Sequence, residues 1–511
     1  MFFFNYHRKI RLVLTKILII LNIIFTIFAV YLSFISISTS FPSNDAGYYL
    51  SVVERFNEGY VPYKDFKLNY PPFFIYFISF FKKIFFSSGT FEFYMAFIVL
   101  LNICSASILY YLLGFVTDKN PLRYFSSVVF FIYIYAYKGF MTTLEPFVFF
   151  FSLLACLIYL VAIIHKKDYC LILCGLFAAL SFLSKQFGLA ILIPIAGDLI
   201  ISSIEKRARA KHFLYLGLGL FIPLILFCAY VIFYQNISYS ILFDSIIAAG
   251  RNYGKKSFIL AGKSIIIFIV FYKSASYIMF LPLLIFNRTV WKDRVFRTLI
   301  FGAFAFSLPL YFEQFQHYYI YLCPFFIALG LYMTNLFLNS SKTFKSGFSF
   351  ILAGAALLFI INPVWTVSNL LAKTYDYKKL KDSKTEIYTI GAQISKYIPK
   401  KAKVLNLSEQ RFNYLCDFFP SDIKKWGYKF TDRFNISELK EASSKVEYAL
   451  LDENFISYKD TKRGIEILTN YESAKLLLQQ NQFNIKSIIR NKYQIWIKRP
   501  CQLLFAISGL L

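Results

Sequence analysis

A chain of 511 residues that is 58% hydrophobic and only 16% charged, with a mean hydropathy of +0.55, is not an ordinary soluble domain, since those run about 45–50% apolar and about 25% charged. Its net charge of +27 would point a soluble protein toward nucleic acid. Here the basic residues sit in short stretches between apolar runs, as orientation charges do, so nucleic acid is excluded as a partner.

Apolar runs of about 18 or more residues recur, the pattern of membrane-spanning helices. The first, Leu12 to about Ile35, is too long for a signal peptide and is read as a retained span. His7, Arg8, Lys9 and Arg11 precede it and place the N-terminus in the cytoplasm. The loop at 40–71 then lies outside, and "PPFFIYFISFFKKIFFS" (72–88) reads as a helix in the outer interface. Further spans are expected at about 93–116, 122–137, 146–164, 169–183, 187–203, 213–233, 264–286, 296–311, 318–337 and 347–369. That makes eleven, with "HKK", "EKRARAK" and "WKDRVFR" all falling inside. Lys273, within the span at 264–286, either snorkels or marks a broken helix.

Residues 371–500 are soluble in character. Strands are expected at 403–409, 446–454 and 493–499 and a helix at 472–481. The fold expected is therefore a polytopic α-helical membrane domain (1–370), with about eleven spans and a large first outer loop carrying interface helices. A small extracytoplasmic α/β domain (371–500) follows it. The site is the cell's inner (plasma) membrane. The eight cysteines mostly lie within apolar runs and show no metal spacing, and the four histidines are scattered, so no metal site is expected from the spacing.

Ionisable residues at a membrane edge are expensive and mark function. "SNDAGYYLSVVERFNEG" predicts an amphipathic helix with Tyr49, Val52, Val53 and Phe56 on its apolar face, capped by Ser43 or Asn44 and stopped at Gly59. Asp45 in its first turn is a capping carboxylate or a base. Asp65, in "PYKDF", reads first as a turn residue. Glu145 opens a span beside Pro146. Lys185 and Gln186 stand at the outer end of another, where a lone lysine snorkels more often than it binds phosphate. Arg251, Lys255 and Lys256 in a longer outer loop either hold an anionic headgroup or are solvated. His317 and Tyr318 lie outside again. Two carboxylates and a cation on one face of a bilayer suit transfer from a lipid phosphate: a base for the attacking hydroxyl and a cation for the departing phosphate.

These residues carry a resemblance. Asp45 with Tyr48, Gly59 with Pro62-Tyr63 and Asp65, Tyr70-Pro71-Pro72, Glu145-Pro146, Lys185 with Gly188 and Pro194, and His317-Tyr318 with Pro324 follow in an order that resembles the GT-C superfamily of membrane glycosyltransferases. That superfamily includes protein O-mannosyltransferases and lipid A aminoarabinose transferases. The resemblance implies inverting transfer of a sugar from a polyprenyl-phosphate donor in the lipid bilayer to a lipid, glycan or protein acceptor at the outer face. Asp45 would be the base. Lys185, with Arg251 and Lys255, would contact the donor phosphate. Tyr48, Asp65, Glu145, Gln186, His317 and Tyr318 would line the donor or acceptor pocket. Ala46 stands where many relatives carry a second acid, which leaves a divalent metal open as a cofactor. The competing readings are a transporter or flippase, and a polymerase or ligase, of lipid-linked glycans.

Overall fold

The computed structural model describes residues 2–66, 68–85, 91–136, 144–248, 259, 262–263, 288–312, 316–339, 361–369, 377–409, 411–420, 441–452, 475–476, 478–490 and 492–498. The expected span at 264–286 with Lys273, the phosphate candidates Arg251 and Lys255 with Lys256, and the first part of the run at 347–369 lie outside these residues. The chain forms two compact units. One comprises residues 1–40, 70–74 and 88–377, and the other residues 41–69, 75–87 and 378–511.

The first unit is helical. Its described helices include α1 (Phe2–Thr39), α4 (Phe91–Leu112), α5 (Asn120–Ala136), α6 (Glu145–Ile164), α7 (Cys170–Ser184), α8 (Leu192–Ile204), α9 (Ala210–Ala229), α10 (Arg294–Ala305) and α11 (Tyr319–Asn339). Against the eleven spans expected, six described segments are long and apolar enough to cross a membrane: Lys16–Thr39, Phe91–Phe115, Glu145–Ile164, Gln186–Ile204, Ala210–Tyr234 and Tyr319–Leu336. Helices α5, α7 and α10 occur where spans were expected but have only 17, 15 and 12 residues. The run expected at 296–311 stops at Ala305, turns, and resumes as Pro309–Phe312, because Pro309 pushes the residue before it out of the helical region. Outward faces stay apolar, with Ile20, Ile23, Ile27 and Phe34 of α1 and Phe221, Ile225 and Leu226 of α9 exposed, as hydrocarbon-facing helices require.

One buried ionic knot holds helices of this unit together. Asp198 of α8 is fully buried and accepts from Arg297 Nε at 2.7 Å, Arg294 Nε at 2.8 Å and the Tyr159 hydroxyl at 2.5 Å. Arg297 also donates to Ser202, Glu205 and the Trp291 carbonyl. The basic stretch "WKDRVFR" read as orientation charge, and both of its arginines also bond a buried carboxylate. A buried charge must be paired, and its i, i+3 spacing let both arginines reach the same acid.

The second unit contains α2 (Asn44–Asn57), most of α3 (Phe73–Phe85), α12 (Tyr377–Ile394), α13 (Arg411–Leu415) and a sheet. The strands are β1 (Lys403–Leu407), β2 (Phe419–Pro420), β3 (Tyr448–Asp452), β4 (Phe483–Ile489) and β5 (Tyr493–Lys498), in the order β2-β1-β3-β5-β4. β2, β1 and β3 are parallel; β5 runs antiparallel to β3 and pairs with β4 as a hairpin. Alternate residues feed two cores. Leu405, Leu407, Ala449, Leu451 and Trp496 pack on one face. Val404, Leu450 and Ile495 pack on the other, against Ile390, Ile394, Phe412 and Phe418. Three strands, Lys403–Leu407, Tyr448–Asp452 and Tyr493–Lys498, fall within the segments where the sequence placed them. β4 and α12 were not anticipated, because "FNIKSII" and "YKKLKDSKTEIYTIGAQI" mix exposed and buried positions too evenly to announce themselves.

Candidate active site

In the first unit the ends of three separate elements bring together a buried ion pair. Glu145 opens α6, with Pro146 occupying an early position whose missing N–H costs nothing. Lys185 closes α7 in an extended conformation (φ −163°, ψ 146°) and leads into a 3-10 turn, Gln186–Ile191. That turn folds back hard: the Gly188 N–H donates to the Lys185 carbonyl at 2.8 Å, and a Cβ on Gly188 would collide with the Ser181 carbonyl. The spacing Lys185–Gly188 is thus a geometric necessity of presenting the lysine. Ser181 completes the frame, donating to the Val148 carbonyl and bonding Ser152 of α6.

Lys185 Nζ lies 2.6 Å from Glu145 Oε1, and both side chains are almost wholly buried. The ammonium is 3.4 Å from the Tyr318 hydroxyl and stands over the rings of Tyr318 (4.8 Å), Tyr70 (5.6 Å) and Phe187 (5.6 Å). An aromatic cage of this kind holds a cation by ring quadrupoles without consuming its donors. His317 Nε2 sits 3.7 Å from Glu145 Oε1, beyond hydrogen-bond reach, with its ring edge-on to Tyr318 at 4.6 Å. The hydroxyls of Tyr94 and Tyr321 are buried without a hydrogen-bond partner among the described residues, both close enough for the Glu145 charge to act on them. Buried hydroxyls are rarely left unsatisfied, so these two have donor capacity that no described residue uses.

Of the residues singled out from sequence, Glu145, Lys185, His317 and Tyr318 meet here. Gln186 Nε2 donates to the Ile246 carbonyl at 2.8 Å. Tyr70, Tyr94, Phe187 and Tyr321 were not named as site residues. Tyr321 was within reach of inspection, since it follows His317 by four and Tyr318 by three and so shares their helical face. Tyr94 was not, because one tyrosine inside an apolar run carries no such signal.

Asp45 belongs to the second unit. Its helix starts as expected, the Ser43 hydroxyl accepting from Ala46 N at 3.1 Å. It ends in a turn whose Gly59 has φ +96°, a conformation that favours glycine. Val52 and Val53 are buried, as the amphipathic pattern required, while Asp45 is exposed in the first turn. Tyr48 is half-buried, edge-on to Tyr49 at 4.8 Å. Asp65 is the turn residue its context suggested: Oδ2 accepts from Val61 N at 2.7 Å and closes a loop in which Tyr63 takes a positive φ. Among the described residues no three histidines, cysteines or acids converge to hold a metal ion.

Residues 69–233, which include Tyr70, Glu145 and Lys185, match the family model described as dolichyl-phosphate-mannose-protein mannosyltransferase. Among solved structures, ArnT from Cupriavidus metallidurans in the apo state superposes with TM-score 0.59 at 10% identity, covering 94% of this chain and 98% of that one. The Archaeoglobus fulgidus oligosaccharyltransferase tethered to an acceptor peptide gives TM-score 0.49 at 10% identity, covering 94% of this chain and 74% of that one. No curated protein matches the chain.

Proposed function

We propose that this chain, a membrane glycosyltransferase of the GT-C superfamily, moves one sugar from a polyprenyl-phosphate carrier to a hydroxyl of a lipid, glycan or protein acceptor. The observation that carries the reading is the buried Lys185, paired with Glu145 and caged by Tyr70, Phe187 and Tyr318. When the sugar's anomeric bond breaks, the polyprenyl carrier leaves as a phosphate monoester, so negative charge grows on the departing oxygen. A cation already desolvated and aimed, with Glu145 preventing its wandering, stabilises that charge without reorganising. Lys185 is assigned to the donor phosphate, with Arg251 and Lys255 as further contacts.

In the displacement, the acceptor oxygen forms a bond to the anomeric carbon as the bond to the phosphate oxygen breaks, and the electron pair leaves with the phosphate. The configuration at that carbon inverts. Asp45 takes the proton of the acceptor hydroxyl, a role open to an exposed carboxylate. Tyr48, Gln186, His317 and Tyr318 are assigned to the pocket. Asp65, already engaged by Val61 N–H, is assigned to shaping the loop. No step is routed through a metal. The flanking charges favour a cytoplasmic N-terminus, and with it an outer-face reaction and an extracytoplasmic C-terminal domain in the inner membrane.

The test is transfer of labelled sugar from a polyprenyl-phosphate donor by detergent-purified protein. Asp45→Asn should lower transfer by about 10²–10⁴-fold with membrane insertion kept. Parental activity in that variant would remove Asp45 as the base.

A further inference from the structure

Helix α2, which carries Asp45, is gripped at both ends by a single stretch of the C-terminal α/β fold. At its first turn, a Cβ on Gly47 would collide with Arg411 Cα and lie 3.1 Å from Arg411 Cβ, so only glycine lets α2 rest on α13. Eight residues later, Arg55 is 1% exposed. Its Nη2 donates to Asp417 Oδ1 at 2.7 Å and to the Phe418 carbonyl at 3.1 Å, while Nη1 pairs with Glu58. Glu58 in turn takes Lys401 Nζ at 3.1 Å. Arg411 is itself fixed, with Nε 2.6 Å from Glu409 Oε2 and its guanidinium over the Phe41 ring at 5.4 Å. Residues 411–418 therefore touch α2 near Asp45 and again at Arg55.

A 14-residue helix with one apolar stripe has little stability of its own. A catalytic base must nonetheless be held to about 0.5 Å and 10–20°. Two anchors on one rigid segment fix both the axial position and the rotation of a helix; one would leave it free to pivot. The burial of Arg55 makes the second anchor all-or-none, because its charge is stranded unless Asp417 and Glu58 are in place.

We propose that Gly47, Arg55 and Asp417 are positioning residues for Asp45, so that the C-terminal α/β domain aims the base. This rests on the reading of Asp45 as the base, and the experiment separates the two. Turnover and donor KM are measured for Asp417→Asn, Gly47→Ala, Arg55→Lys and Arg55→Met, each alone and in an Asp45→Asn background. Turnover should fall about tenfold or more in Asp417→Asn and Gly47→Ala with donor KM within about twofold, the pattern of an interaction felt only in the transition state. In the Asp45→Asn background the same changes should cost nothing further, because residues acting through one group are not additive. Arg55→Lys should keep more turnover than Arg55→Met.

Hydrogen exchange over residues 44–57 should quicken in Asp417→Asn. If Asp417→Asn does not fold, Asp417→Glu, which keeps the charge and changes the reach, carries the same test. An inactive Asp45→Asn beside near-parental Asp417→Asn and Gly47→Ala overturns this inference and spares the base. A loss of equal size with and without Asp45 overturns it too. Parental activity in Asp45→Asn overturns the base assignment and this inference with it.

Discussion

Helix α6 takes part in a buried ionic cluster near each end, and the two are built differently. Glu145 and Tyr159 are 14 residues apart, about 20 Å along the axis. At the Tyr159 end, Asp198 accepts three short hydrogen bonds, and Arg297 finds four acceptors of its own. At the Glu145 end, the carboxylate takes a 2.6 Å bond from Lys185 with a histidine at 3.7 Å, and the nearby Tyr94 and Tyr321 hydroxyls are buried without hydrogen-bond partners among the described residues. A saturated cluster has nothing to offer a ligand and serves to lock helices. An under-satisfied one of similar burial keeps donors in reserve for an anion. Burial and charge are common to both, so coordination number is what separates a strut from a site.

The comparison can be broken, the largest effect first. Arg297→Met should destabilise the protein by about 3–5 kcal/mol by taking one of two arginines from the buried Asp198 carboxylate and leaving Arg294 alone to balance it, read as a fall in folded yield and thermal midpoint in detergent. A fully stable, active Arg297→Met protein would refute the strut.

Lys185→Met should lower turnover by about 10²–10³-fold, the size of losing one preorganised charge stabiliser. Removing both partners, Glu145→Leu with Lys185→Met, should restore folding because no charge is stranded, and leave the protein inactive. A double variant that transfers sugar would place the chemistry elsewhere.

Asp65→Ala should cost about 1 kcal/mol of stability through the lost turn bond, with turnover within a factor of about three. A collapse of turnover at unchanged stability would draw Asp65 into the chemistry.

The smallest effect concerns pH. Burial alone would raise the Glu409 and Glu58 carboxyls. Arg411, Lys492 and Tyr493 around the first, and Lys401 and Arg55 around the second, outweigh it and hold both below the ordinary value of 4.5. A depressed carboxyl adds stability above its unfolded pKa and loses it as pH falls. The thermal midpoint of the C-terminal unit should be flat from pH 7 to about 5 and decline below about 4.5. Decline already at pH 6 would mean these acids are not held by their cations.

Much of the local structure was legible, each part for its own reason. The α2 boundaries follow from Ser43 and Gly59, because caps act within a few residues of chain. The apolar runs announce helices because a span must satisfy its backbone internally. The strands at 403–407 and 493–498 show as β-rich runs between turns. The pairing of Glu145 with Lys185 was legible only as two polar exceptions arriving at corresponding span ends. Nothing in the string indicated the aromatic cage, since Tyr70 stood out only as part of Tyr70-Pro71-Pro72 and Phe187 read as an ordinary member of a chain that is 21% aromatic. Asp198 went unnoticed because one acid in a greasy run looks like noise until two arginines about a hundred residues away are seen bonded to it.

By itself, then, the sequence determined what short-range physics controls: which segments are apolar helices, where α2 starts and stops, that Asp65 closes a turn, and which ionisable residues were too costly to be accidental. Tertiary structure alone decided which charges are satisfied and which are held ready. It also decided that Gly47 and Arg55 meet residues 411–418. A contact between positions some 360 apart depends on how the whole chain folds back, and no local pattern encodes it.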